Sequence, residues 1–245
     1  PNPGADKVLL INLLIVATMA ATLAMSPPVL SPQELQDSFD QGQKLYALGD
    51  YGKAIGHYEA ILATRNSPLL NVEDVSVTVD EYILPVKVAA TYQLANAHNK
   101  LGLEKLRRYE FLLAEQKEAE AERRYDEAMA DLRTSLAHFR EIREDEGIDE
   151  RTRVMAQYQI LETGYQLKRY EEVIEEGQSL LRQFPNSIYE TAVYYDIGWS
   201  YFELGQYQQA IGYYEQVLFL SPRGSNSDRA LVQLAACDRR LGNFD

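Results

Sequence analysis

The chain has 245 residues, 46% hydrophobic and 25% charged, proportions that support a folded core and exclude a disordered polymer. Its 24 Lys and Arg face 37 Asp and Glu, a net charge of −13, to which residues 1–30 contribute only Asp6 and Lys7. The acidity thus lies after residue 30; it excludes general affinity for nucleic-acid phosphates, which needs a basic face, and argues against adsorption to an anionic lipid surface.

Residues 8–25, VLLINLLIVATMAATLAM, carry no charge. About 20 apolar residues cross a hydrocarbon core, so this run predicts a single transmembrane helix, stopped by Pro27 and Pro28. A secretory signal peptide cleaved after Ala24 is the alternative. The chain starts at Pro1 rather than Met, so further residues are expected ahead of it. Lys7 precedes the run and no Lys or Arg follows before Lys44. The positive-inside rule then places the N-terminus in the cytoplasm and the acidic part outside. No cysteine lies beside the run to accept a lipid.

FDQGQKLYALGDYGKAIGHYEAIL (39–62) has two helical periods separated by Leu48-Gly49. In 69–85, LLNVEDVSVTVDEYILP, Val75, Val77 and Val79 alternate with polar residues, the pattern of a short extended strand. That segment is either a long connection packed on the preceding helices or an edge strand that pairs with a partner's backbone. From Leu103 to Glu146 there is no Gly or Pro. As one helix it would be about 65 Å long. Because LRRYEFLLAE (106–115) and AERRYDEAMA (121–130) both resemble LKRYEEVIEE (167–176), its register stays open. It is either an expanded repeat with one long helix whose charged stretch, from Glu115 to Arg124, is solvated, or a projecting helical arm.

The C-terminal half repeats itself. YQLKRYEEVIEEGQSLLRQFPNS (165–187) aligns with FELGQYQQAIGYYEQVLFLSPRG (202–224), and Leu167, Leu204 and Leu241 are each 37 residues apart. From Thr191, Tyr194, Ile197, Gly198 and Tyr201 form one helical stripe, followed by Leu204-Gly205, Ala210, Tyr214 and Pro222. Gly198 and Ala210 are small where two helix backbones are expected to approach. The copy at 154–187 keeps Ile160, Leu167, Tyr170, Val173, Leu180 and Pro185. ALVQLAACDRRLGNFD (230–245) reads as the opening helix of a further copy, so the chain is expected to continue or another surface to cover it.

This pattern resembles the tetratricopeptide repeat, in which an aromatic, L-G, Y, A-x-x-x-F and a closing P recur. The 37-residue spacing, against the usual figure of about 34, and the run P-N-S-I-Y-E-T-A-V-Y-Y-D-I-G are similar to a periplasmic subclass. That subclass includes outer-membrane assembly lipoproteins and cell-division coordinators of Gram-negative bacteria. The resemblance implies an all-α fold, a tetratricopeptide-like α-solenoid of antiparallel helix pairs, after one N-terminal transmembrane helix. The anchor would take residues 1–30 and the superhelical domain 31–245, with copies near 34–68, 84–147 (expanded), 149–187, 191–224 and 228–245 (partial).

In such proteins the first helix of each repeat lines a concave groove. The resemblance places Phe39, Tyr46, Tyr158, Tyr165, Tyr195, Trp199 and Phe202 there, with Arg239 and Arg240 closing the far end. An aromatic groove suits a segment of another protein, because Tyr and Trp bury much area at little entropy cost. The competing reading is that the 17 tyrosines fill helix junctions. The Lys and Asn of the family's clamp for a C-terminal carboxylate are missing from this face.

Nothing in the chain supports catalysis: it has no H-E-x-x-H, no G-x-S-x-G and no phosphate-cradling loop. One cysteine, Cys237, excludes a disulfide framework, and inside an apolar helix it reads as a small buried hydrophobe. His57, His98 and His138 share no ligand spacing. The expectation is a non-catalytic, single-pass inner-membrane scaffold, its repeat domain periplasmic. It would bind and stabilise subunits of a larger membrane complex and touch the bilayer through 8–25. No cofactor, metal, nucleic acid or small-molecule substrate is expected. The alternative is a periplasmic adaptor for peptide clients in envelope biogenesis.

Overall fold

The computed structural model describes residues 29–66, 71–79 and 82–243. The apolar run at 8–25 lies outside the described residues, and among the described residues no helix is long and apolar enough to cross a membrane. The helices are α1 (Pro32–Ala47), α2 (Tyr51–Ala63), α3 (Val86–Ala114), α4 (Glu118–Glu144), α5 (Glu150–Gln166), α6 (Tyr170–Gln183), α7 (Glu190–Glu203), α8 (Tyr207–Leu220) and α9 (Ser225–Leu241). Strands β1 (Ser76–Val79) and β2 (Tyr82–Pro85) form an antiparallel hairpin between α2 and α3.

Each helix packs on the next, so α1–α2, α3–α4, α5–α6 and α7–α8 are helical hairpins stacked in chain order. No hairpin can bury both its faces alone, and the core is accordingly continuous from one pair to the next. Leu35, Phe39, Tyr58 and Ile61 of the opening pair share a cluster with Val86 and Ala89 of α3. Leu161 and Val173 of the third pair likewise meet Val193 and Ile197 of α7.

Every first helix ends in the same turn. Gly49, Gln116, Lys168, Gly205 and Gly242 have φ of 81°, 59°, 57°, 75° and 81°. Their N–H groups donate three residues back, to Tyr46, Leu113, Tyr165, Phe202 and Arg239 carbonyls. The next N–H in each turn donates five back, to Leu45, Leu112, Gly164, Tyr201 and Asp238. This is the Schellman closure, which needs a left-handed residue and therefore favours glycine. The Leu-Gly pairs at 48–49 and 204–205 announce it. At Gln116 and Lys168 the stacked helices impose the same backbone on residues that resist it.

The turn at Gln116 settles 103–146. Helix α3 stops at Ala114 and α4 starts at Glu118, so the one-helix reading is corrected: the segment holds the end of α3, the turn and all of α4, which pack as a long antiparallel pair. Of the two candidate motifs, 106–115 closes the first helix and 121–130 opens the second. Ala121, Ala128 and Leu132 are buried on the α4 side of this hairpin and Gly102 and Leu112 on the α3 side.

The Val75–Val79 alternation is a strand, and its backbone partner is the chain's own β2, in the register Val77↔Leu84 and Val79↔Tyr82. Val77, Val79 and Leu84 point into the opening core, while Ile83 is 77% exposed. Ser31 caps α1 through a capping box with Glu34, and Asp149 caps α5 through Thr152 N–H at 3.0 Å. Such caps contribute about 1 kcal/mol each.

Candidate protein-binding groove

Curvature follows from unequal spacing of the two helix rows. First helices touch across repeats, α1 with α3, α5 with α7 and α7 with α9. Second helices are bridged instead by long polar side chains. Arg143 on α4 donates to Glu176 on α6 at 2.6 Å, Arg140 pairs with Glu172, and Gln178 donates to Tyr213 on α8 at 2.9 Å. The closer row, that of the first helices, is the concave one.

In its N-terminal half the concave face is polar. Gln43, Gln93, Asn96, Asn99 and Gln159, with Lys100 and Tyr46, line a cavity of about 460 Å³. Asn99 Nδ2 donates to Thr163 Oγ1 at 3.1 Å and ties α3 to α5 across its floor. Sequence reasoning aimed at aromatics missed these amides, and Asn96, Asn99 and Lys100 correct the expectation that Lys and Asn are missing from this face. Their signal was Gln93, Asn96 and Asn99 recurring every three residues on α3.

In its C-terminal half the face is aromatic and acidic. The Trp199 ring stands edge-on to Tyr165 and Tyr195, each at 5.4 Å, and its indole N–H donates to Glu203 at 3.0 Å. Tyr158 stacks on Tyr189 at 4.5 Å and donates its hydroxyl to Glu162 at 3.0 Å. Arg229 of α9 lies over the rings of Tyr195 at 4.2 Å and Trp199 at 5.8 Å. Between them sit Glu162 of α5 and Asp196 of α7. Asp196 Oδ2 is enclosed and meets no donor. Burial, then the charge of Glu162 and its side chain at hydrogen-bonding range, push the Asp196 carboxyl well above its ordinary value, and Arg229 offsets this only in part.

The nine expected groove residues separate into groups. Phe39 and Tyr195 are each 1% exposed, which corrects their assignment: they are core residues, packed on Tyr58 and Tyr214 respectively. A stripe one position beside the packing stripe is still enclosed when a neighbouring first helix closes over it. Tyr46, Tyr165 and Phe202 are half-buried and clasp the hairpin turns, pairing with Tyr51, Tyr170 and Tyr207 at 5.3, 5.7 and 5.2 Å. Trp199 and Tyr158 remain partly open on the concave side. Arg239 and Arg240 are exposed in the last turn of α9, where cations suit the helix dipole. Leu231 and Val232 of the same helix are 54% and 66% exposed.

Gly198 seats a ring rather than a backbone. A Cβ there would meet Tyr214 Cε1 at 2.8 Å, and Gly42 stands in the same relation to Tyr58 at 2.7 Å. Cys237 is buried beside Tyr214, and desolvation, reinforced by Asp238, pushes its thiol up to about 11. His98 and His138, distant in sequence, stack at 6.5 Å between α3 and α4. His98 Nδ1 and Lys105 Nζ lie 2.9 and 2.6 Å from Asp131. Burial would raise the Asp131 carboxyl, but these two partners together hold it below its ordinary value. Among the described residues no group of three or more His, Cys, Asp or Glu is placed to hold a metal ion.

Residues 191–223 match the family model of the tetratricopeptide repeat. Among curated proteins none matches the chain. The solved structures that share its fold include two of the nearly identical TPR-like repeats of a Podosopora anserina protein assigned to the kinesin light chains. A single-substitution variant aligns with a TM-score of 0.53 at 15% identity, covering 89% of this chain and 91% of that one. The second aligns with a TM-score of 0.50 at 15% identity, covering 87% and 90%. At that identity the likeness concerns the fold alone. The chain thus carries a tetratricopeptide repeat within an all-α, tetratricopeptide-like helical solenoid.

Proposed function

We propose that the chain is a non-catalytic interaction scaffold whose concave face holds a segment of another protein. The observation that carries this reading is the amide-lined cavity between α1, α3 and α5, continued toward α7 and α9 by a partly open aromatic wall. Each amide offers both a donor and an acceptor, which suits the unpaired backbone of an extended segment. The aromatic wall adds contact area at small entropy cost.

In its finer form the proposal is a scaffold tethered to the inner membrane through 8–25, with its N-terminus in the cytoplasm. The solenoid then faces the periplasm and stabilises subunits of a larger membrane complex. The uncharged run, Lys7 ahead of it and the resemblance to envelope proteins support the topology. The net charge of −13 favours neighbours with basic surfaces. A second reading, an adaptor that captures peptide clients, is favoured by the polar rather than apolar lining of the cavity.

The test is gentle detergent extraction of the tagged full chain from its own cells, with mass spectrometry of what co-purifies. A scaffold comes away from the membrane fraction with partners in fixed stoichiometry. An adaptor carries a variable set. Asn96→Arg and Gln159→Arg, in the cavity wall and away from the apolar core, should strip those partners while the circular dichroism stays unchanged. Partners retained in full by both variants would remove the groove from the account.

A further inference from the structure

The concave face holds one arrangement in which acceptors outnumber donors. Glu162 and Asp196 approach to hydrogen-bonding range across the α5–α7 contact, and neither carboxylate can donate to the other. Tyr158 supplies one donor, to Glu162 Oε1. Asp196 Oδ2, enclosed, receives none. Arg229 is near but does not fill the gap. Its guanidinium carbon lies 4.2 Å from the Tyr195 ring centre and 5.8 Å from that of Trp199, and among the described residues it forms no ion pair within 4.0 Å. Two facing carboxylates are costly unless a proton or a cation comes between them.

We infer that Glu162 and Asp196, walled by Tyr158 and Trp199, form a pocket for one arginine side chain of the segment held in the groove. This rests on the groove reading and names the chemistry its occupant must carry. A planar guanidinium presents N–H groups in a fork, so it can bridge two carboxylates that a single ammonium would reach only as a point charge. A cation sits favourably over an aromatic ring, as the Arg229 guanidinium already does on this same wall. Charge agrees as well: the chain is net −13, and Glu203 adds a third carboxylate beside Trp199. The groups facing Asp196 are Glu162, Tyr158 and Tyr165 from α5, Tyr195 beside it on α7 and Arg229 from α9. A bound guanidinium supplies the donors that Asp196 lacks, and binding strengthens with rising pH as the carboxyl ionises.

Trp199 is the chain's single tryptophan, so its fluorescence reports from this wall. The probes are a short, terminally blocked Gly/Ser peptide with one central arginine, its neutral citrulline counterpart and its lysine counterpart. The arginine peptide should change the emission saturably. The citrulline peptide should bind at least about tenfold more weakly, the loss expected when a charge-assisted pair is removed, and lysine should fall between. Asp196→Asn and Glu162→Gln should each weaken the arginine peptide by about tenfold or more, with the circular dichroism unchanged. Equal binding of arginine and citrulline, no saturable change with any peptide, or unaltered affinity in both variants would overturn the pocket. The broader reading fails separately. Partners that resist Asn96→Arg and Gln159→Arg sink the groove. Partners lost in those variants while arginine and citrulline bind alike sink only the arginine pocket.

Discussion

Gly198→Ala tests how the repeats lock together. The new Cβ would lie 2.8 Å from Tyr214 Cε1, 3.0 Å from Cδ1 and 3.3 Å from Tyr213 Cβ. Ordinary carbon contacts are about 3.5–4.0 Å, so the ring must retreat by much of an ångström. It has nowhere to go. Tyr214 is 0% exposed, enclosed by Ala210, Val217, Ala230 and Cys237, with the Tyr195 ring 5.7 Å away. Overpacking of this kind costs about 1–3 kcal/mol, against a helix-propensity gain of about 1 kcal/mol for alanine over glycine. Gly212, within α8, isolates the second effect, because a Cβ there meets nothing within 4 Å. Gly212→Ala should therefore stabilise, and Gly198→Ala should fall below it by about 1–3 kcal/mol. Gly42→Ala should behave like Gly198→Ala, since Tyr58 Cε1 stands at 2.7 Å. Urea unfolding followed by circular dichroism measures all three. A Gly198→Ala protein as stable as Gly212→Ala would refute the ring-in-seat account.

Lys168→Gly should stabilise the chain by about 0.5–1 kcal/mol, because φ of 57° there suits glycine. Gly205→Ala, at φ of 75°, should lose about 1 kcal/mol in the same unfolding assay. Asp196→Asn should raise stability, and by more as pH rises. The folded-state carboxyl titrates above its unfolded value of about 3.9, so the wild type is most stable below that value and loses stability as pH climbs through the folded one. A gain of about 1–3 kcal/mol at pH 8, shrinking toward pH 4, is expected from urea midpoints. A gain independent of pH would show that Asp196 does not carry a shifted proton.

Much of the architecture was legible because it is local. Period-3.6 stripes, Leu-Gly punctuation and Pro185 and Pro222 report on a few adjacent residues, and they announced paired helices and their order. The break at Gln116 was not legible. A glutamine carries no turn signal, and only the packing of α3 on α4 forces it to φ of 59°. The partner of β1 was hidden for the same reason, since alternation tells which face a strand buries and not what it pairs with.

The candidate site divides along that line. That the first helices bear Tyr158, Tyr165 and Trp199 is a matter of spacing along one helix. That Tyr195 and Phe39 are sealed in the core depends on how closely the next first helix approaches. The apposition of Glu162 with Asp196, beside an Arg229 whose charge offsets it only in part, joins residues from three repeats. A one-dimensional pattern encodes which side of each helix is apolar, because burial of that side drives the stacking. The distance between stacked helices emerges only when the side chains interlock, and it is that distance that makes a wall, a core or a pocket.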